Sequence, residues 1–361
     1  MKLIIEPTDG PGPLLAAIKK AKKTVDIAIF RFDRADVEKE LKAAAARGVK
    51  VSALIAYVNR GGEKHLRALE MRFLDAGITV ARTDDDLIRY HDKMMIIDRT
   101  ILYMLSFNFT HLDIDHSRGF GIITRNKKMV HEAIRLFEAD SARKSYTPGL
   151  DTFVVSPANS RKVLANFLKR AKKQLLIYDP EISDKEMMRI LQERAKAGVE
   201  VRVIGHAAKR LGLPVEKLSK MRLHTRTIIV DGKRAFVGSQ SLREAELDSR
   251  RELGLIINEA KIVKQLMDCF EADWNSTDGP RDEAEKKEAE EPLKKDVQRA
   301  AKVLAKELHP ITATVKKAVK KVMADAGEET MGNKEVKSTV KKMVKKAIKE
   351  AVKEAAESEQ K

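Results

Sequence analysis

Apolar and polar positions along residues 1–276 follow two periods. Residues 24–30, 49–55 and 78–80 are short runs rich in Val, Ile and Ala, and they read as strands. Between them, residues 34–47 and 63–76 carry apolar side chains at helical spacing. Gly48 and Gly77 follow, as glycines do where helices end. An irregular entry, residues 7–13, leads into a helix that runs up to Lys23. The plan then recurs: helix 160–173, strand 174–178, helix 185–197 closed by Gly198, strand 199–204. Strands alternating with helices predict an α/β fold around a central sheet.

The stretch Tyr90–Asp98 organises the rest. It reads His91-x-Lys93-x4-Asp98, with an apolar strand Met94–Ile97 inside it. Strand alternation puts His91 and Lys93 on one face. A second stretch reads His224-x-Arg226-x4-Asp231, 133 residues later. At the same spacing Ser106 meets Ser239, Asn108 meets Ser241, Asp115 meets Asp248, Arg118 meets Arg251 and Gly121 meets Gly254. One register held over about thirty residues means two diverged copies of one unit. Upstream, Gly48 matches Gly198 at a spacing of 150, so the second copy is 17 residues shorter. The expected loss is the counterpart of residues 60–74.

These paired motifs, each followed by a Ser-x-Asn-like turn, resemble the phospholipase D superfamily over residues 1–276. The resemblance implies two copies of an α/β unit packed face to face about a pseudo-twofold axis, with both histidines at the interface. It implies a metal-independent phosphodiesterase or phosphatidyltransferase that needs no cofactor. One histidine would attack phosphorus, the other would protonate the leaving alcohol, and Lys93 and Arg226 would supply positive charge. His91 is expected as the nucleophile, because Lys93 and Asn108 keep its motif whole. Asp98 and Asp231 would orient the imidazoles or hold loops. Ser106, Asn108, Ser239, Ser241 and Glu252 would contact the substrate. The chain departs from the family pattern at Arg226 (usually Lys), Ser241 (usually Asn), Leu105 (usually Gly) and Gly119, where Glu252 has no counterpart. A phospholipid substrate is expected, from likeness to cardiolipin synthase-like proteins. The alternatives are a nuclease of the same superfamily, or a non-catalytic basic scaffold on nucleic acid or anionic membrane.

Charge narrows the partners to polyanions. The formal net charge is +17, and residues 277–361 hold 21 Lys and Arg against 17 Asp and Glu, which leaves +13 on residues 1–276. The lone Cys269 excludes an internal disulfide, and no Cys/His framework for a metal is present. No apolar run approaches a membrane span, so a cytoplasmic protein, peripheral to membranes at most, is expected. The chain divides into a first unit, 1–147, a second, 148–276, and a charged linker with a helical tail, 277–361. In the tail Val336, Val340, Val344, Ile348 and Val352 form a narrow apolar stripe among lysines, suited to an anionic surface.

Overall fold

The computed structural model describes residues 1–57, 63–208 and 211–277. The expected linker and tail helices lie outside the described residues.

The first half runs β1 (Lys2–Glu6), α1 (Gly12–Lys20), β2 (Thr24–Ile29), α2 (Ala35–Ala46), β3 (Lys50–Ile55), α3 (Glu63–Asp75), β4 (Thr79–Arg82), β5 (Arg89–Tyr90), β6 (Met94–Ile97), β7 (Ile101–Leu105), α4 (His111–Asp115), β8 (Ser117–Thr124) and α5 (Lys127–Ser141). The second runs β9 (Phe153–Val155), α6 (Ser160–Lys169), β10 (Gln174–Ile182), α7 (Lys185–Lys196), β11 (Glu200–Ala207), β12 (Val215–Glu216), β13 (Arg222–Leu223), β14 (Arg226–Val230), β15 (Arg234–Gly238), α8 (Glu244–Asp248), β16 (Arg250–Arg251), β17 (Leu253–Ile257) and α9 (Ala260–Asn275). Helices α2 and α7 end at Gly48 (φ +85°) and Gly198 (φ +83°), a left-handed conformation that glycine adopts without a Cβ penalty.

The two main sheets repeat one strand order. The first is β1-β8-β7-β6-β2-β3-β4, and the second is β9-β17-β15-β14-β10-β11-β12. Each central motif strand runs antiparallel to both neighbours. The 17-residue difference is located here. Helix α3 separates β3 from β4, whereas Ala207 and Val215 bound a segment between β11 and β12 too short for such a helix.

Side-chain alternation along the motif strands builds three cores. Met95 and Ile97 face the outer core of the first half, with Leu14, Val37 and Leu41. Ile228 and Val230 face that of the second half, with Leu168, Met187 and Leu191. Met94, Ile96 and Ile229 point the other way, into a core shared by both sheets and by α5 and α9. Within it Phe120 meets Tyr178 edge-on at 5.6 Å, and Tyr178 meets Phe270 at 5.0 Å. The sheets therefore pack face to face, with no solvent-exposed seam through their middle.

Candidate active site

Both motif histidines sit where the halves exchange strands. The His91 N–H donates to the Arg251 carbonyl at 2.7 Å, and the His224 N–H donates to the Arg118 carbonyl at 3.1 Å. Arg118 and Arg251 are themselves equivalent at the 133 spacing, so the two contacts are mates under the pseudo-twofold. Short parallel pairings flank them: β5 lies on β16, and β13 on β8. His91, Asp92 and Lys93 therefore belong to the crossing segment before β6, not to the strand itself. The expected strand alternation does not govern them. Their positions come from the crossing.

Buried ion pairs hold this crossing together. Arg118 grips Asp273 through Nε and Nη2 (2.8 and 2.9 Å), and Arg251 grips Asp140 the same way (3.0 and 3.0 Å). Asp140 and Asp273 are also 133 residues apart. Each arginine's Nη1 donates to a backbone carbonyl near a half's first strand, Glu6 or Ser156. A guanidinium out of water needs such complete pairing.

Around the histidines the halves differ. His91 is buried, and its Nδ1 lies 2.8 Å from Glu252 Oε2. Its ring meets Phe30 edge-on at 4.5 Å. His224 is equally buried; its Nε2 lies 3.4 Å from Asp113 Oδ2, and its Nδ1 has no hydrogen-bond partner among the described residues. Asp113 also accepts from the Asn108 backbone and side-chain N–H (2.9 and 2.6 Å) and from Arg222 Nη1 (2.6 Å). Its second-half equivalent, Glu246, accepts from the Ser241 N–H at 2.7 Å and lies 3.8 Å from Arg226 Nη2.

The two motif cations are mates as well. Lys93 Nζ donates to its own half's His91 carbonyl, and Arg226 Nη1 donates to the His224 carbonyl at 2.7 Å. Arg226 Nε also donates to the Ser241 hydroxyl at 3.1 Å, the position where the family pattern has Asn.

The electrostatics follow from burial among cations. Burial lowers the His91 pKa well below its usual value, and Lys93, Arg226 and His224 lower it further. Burial does the same to His224; Arg226, Arg222 and Lys93 add to it, and Asp113 opposes them. Burial brings Lys93 down to about 7 and pushes Glu252 up to about 8. Burial works against the charge of Asp113, but His224, Arg222 and the Asn108 donors outweigh it and hold its pKa at about 2.

Other expected site residues take structural positions. Asp98 accepts from the backbone N–H groups of Lys22, Lys23 and Thr24, and Asp231 from those of Lys172, Lys173 and Gln174. Both have positive φ (51° and 53°), beyond the far end of their motif strands from the histidines. They hold loops and do not touch the imidazoles. The Ser106 hydroxyl accepts from the Phe120 N–H at 2.9 Å, and the Ser239 hydroxyl from the Leu253 N–H at 3.2 Å, each tying two strands together. Asn108 retains a buried Oδ1 with no hydrogen-bond partner among the described residues. Lys93, Arg226, Asn108, Ser241 and Glu252 cluster with the histidines. Asp113, Asp140, Asp273 and Phe30 were not anticipated as site residues, although the 133 spacing links Asp113 to Glu246 and Asp140 to Asp273. Among the described residues no group of acidic, His and Cys side chains could hold a metal ion.

A family model described as cardiolipin synthase, PLD-like domain, matches residues 14–141 and 164–274. The chain belongs to this phospholipase D-like family. Its two matched segments are the two halves. No curated protein matches the chain. Solved structures with TM-scores above 0.5 share its fold. Polyphosphate kinase from Porphyromonas gingivalis is 20% identical over 75% of this chain and 49% of that one, with a TM-score of 0.63. The chain thus spans about half the length of that kinase. Phosphatidylserine synthase from Haemophilus influenzae is 11% identical over 85% of this chain and 94% of that one, with a TM-score of 0.57. The phospholipase D family member Nuc from Salmonella typhimurium is 24% identical over 38% of this chain and 91% of that one, with a TM-score of 0.36. Members of this phospholipase D-like family act in phosphodiester transfer or hydrolysis, and this chain presents the family's paired motifs at one interface. No helix among the described residues is long and apolar enough to cross a membrane.

Proposed function

We propose that the protein cleaves or transfers a phosphodiester through a covalent phosphohistidine, with His91 as the nucleophile. The carrying observation is the 2.8 Å contact between His91 Nδ1 and Glu252. An ionised Glu252 accepting from Nδ1–H leaves the Nε2 lone pair free to attack. Nε2 bonds to phosphorus as the bond to the leaving alcohol breaks, and the carboxylate offsets the charge that develops on the imidazole. His224 gives its proton to the leaving oxygen. It then takes one from water or a second alcohol, which attacks phosphorus and releases His91. Lys93 and Arg226 neutralise the phosphoryl oxygens through the transition state. The substrate's own negative charge counteracts the cations that depress both histidines, which brings their pKa values back towards a working range.

Two substrate readings have support. The many arginines around the histidines, with Arg89 and Arg222 each two residues before a motif histidine, favour a nucleic-acid strand. Exposed Ile88 and Leu112, each one residue from the site residues Arg89 and Asp113, favour a phospholipid, the substrate expected from the family resemblance. The purified protein, with EDTA present, is offered bis(4-nitrophenyl) phosphate, single- and double-stranded DNA, and vesicles of phosphatidylcholine or cardiolipin. Turnover with acid-labile phosphate on His91 is the expected result. Wild-type turnover that survives in both His91→Ala and His224→Ala removes this mechanism.

A further inference from the structure

We infer that Asp179 is a positioning residue for Arg226, acting through the turn that carries Ser241. This rests on the reading of the site as a phosphodiester site, in which Arg226 meets the phosphoryl oxygens. Asp179 is buried in the last part of β10. Its Oδ2 accepts from the Leu242 N–H at 2.8 Å, and its Oδ1 from the Glu181 N–H at 2.9 Å. One residue before Leu242, the Ser241 hydroxyl accepts from Arg226 Nε at 3.1 Å, and the Ser241 N–H donates to Glu246 at 2.7 Å. Two carboxylates thus hold successive N–H groups of one turn, and that turn presents the hydroxyl that holds Arg226. Strand β11 lies hard against the Asp179 backbone: a Cβ on Gly205 would lie 1.7 Å from the Asp179 carbonyl oxygen. Burial pushes the Asp179 pKa up to about 7, against the pull of the two N–H donors and of the Arg226 charge.

The first half shows what Asp179 adds. Strand register puts Asp179 across from Arg226, one step beyond the Tyr178–Thr227 pair, and Ile29 across from Lys93, one step beyond the Ala28–Met94 pair. Asp179 and Ile29 are also 150 residues apart, the spacing of Gly48 and Gly198. Three related positions therefore differ together: Lys93, Asn108 and Ile29 in one half, Arg226, Ser241 and Asp179 in the other. Asn108 fixes its own turn, because its side-chain N–H donates to Asp113 at 2.6 Å alongside its backbone N–H at 2.9 Å. Ser241 has no amide with which to do the same. Its hydroxyl is taken by Arg226, and Asp179 supplies the missing hold on the turn through Leu242. Among the described residues Lys93 donates to the His91 carbonyl and not to the Asn108 turn. A lysine is a compact charge on a flexible stem and tolerates small shifts of its neighbours. A planar guanidinium must be set at one angle to grip phosphate oxygens.

The test is a double-mutant cycle on the full chain at about pH 8, where Asp179 is mostly ionised. Asp179→Asn keeps the size of the side chain but sets an amide N–H against one of the two donors. It should lower kcat/KM for bis(4-nitrophenyl) phosphate about tenfold while residue 226 is arginine, and by less than about twofold in the Arg226→Lys background. Equal losses in both backgrounds, or no loss in either, overturn the assignment: the first would make Asp179 a general part of the fold, and the second would give it no part. A second readout needs no turnover. In carbon-detected NMR of arginine-labelled protein, the Arg226 signals are assigned by their disappearance in Arg226→Lys. Nη1 and Nη2 should be resolved from each other, because hydrogen bonds at Nε and Nη1 hinder rotation of the guanidinium. Asp179→Asn should merge them. Signals already merged in the wild type, or still separate in the folded variant, overturn the proposal. Asp179→Ser, whose hydroxyl cannot span both N–H groups, replaces Asp179→Asn if thermal melting shows the latter unfolded. A wild type that does not hydrolyse the diester counts against the catalytic reading alone, and the NMR series then decides the role of Asp179.

Discussion

The first half and the second half share strand order, crossing segments and buried arginine–aspartate pairs, yet they meet their histidines with different carboxylates. His91 has Glu252 on its Nδ1, and His224 has Asp113 near its Nε2 with Nδ1 unpartnered among the described residues. The shared features are those that folding requires. Arg118 and Arg251 are buried, so losing either aspartate leaves an uncompensated charge. The site is under no such requirement to remain symmetrical, since the two histidines take opposite roles in the proposed reaction. At position 119, the equivalent of Glu252, the first half has glycine, and a Cβ there would lie 2.8 Å from Phe107 Cδ1. Packing has closed that position to a carboxylate, and Asp113 approaches His224 from α4 instead.

The comparison can be broken or sharpened by substitution. The largest expected effect is on turnover: His91→Asn should lower kcat/KM for bis(4-nitrophenyl) phosphate by about 10⁴-fold or more and abolish phosphoenzyme trapping. Trapped phosphate on His224 in the wild type would reverse the assigned roles. Next comes the buried frame. Asp273→Asn should destabilise the fold by about 3–5 kcal/mol in denaturant titrations. Asp140→Asn should cost less, because burial has pushed the Asp140 carboxyl up to about 7, and its neutral form resembles the amide. Equal costs would show the two pairs to be energetically equivalent as well as geometrically so. Glu252→Gln should slow turnover about 10²-fold through the lost orientation of His91, with no matching loss of stability. Gly119→Ala, which forces Phe107 aside, should instead destabilise by about 1–3 kcal/mol.

The smallest effect is a change in pH profile. In the proposed mechanism the active form needs Glu252 ionised, favoured above about 8, Lys93 protonated, favoured below about 7, and the donor proton on His224. A bell centred between these values is expected for kcat/KM, its limbs belonging to the coupled set. Lys93→Arg replaces a group that loses its charge with one that keeps it, as Arg226 does in the other half. The alkaline limb should move, because only loss of the His224 proton then sets it, and the rise with pH should remain. An unmoved alkaline limb would mean that Lys93 does not set it.

The sequence by itself determined the α/β class, the repeat, its 133-residue spacing and the family, because period-two and helical patterns are local and a duplicated motif keeps its register. It also located the shortened segment, which the structure shows as the absence, among the described residues, of an α3 counterpart. Only the tertiary structure decided which groups meet. Motif membership made Asp98 and Asp231 equal candidates with the histidines, but an aspartate five residues after the motif cation emerges at the other end of the strand, where loop N–H groups receive it. His91 and Lys93 read as strand residues, yet hydrogen bonding of His91 to Arg251 of the other half draws them into a crossing. The pairing of Glu252 with His91 spans 161 residues, and that of Asp113 with His224 spans 111. No local pattern encodes such partners, because they exist only once two sheets have buried a common core and brought their edges together.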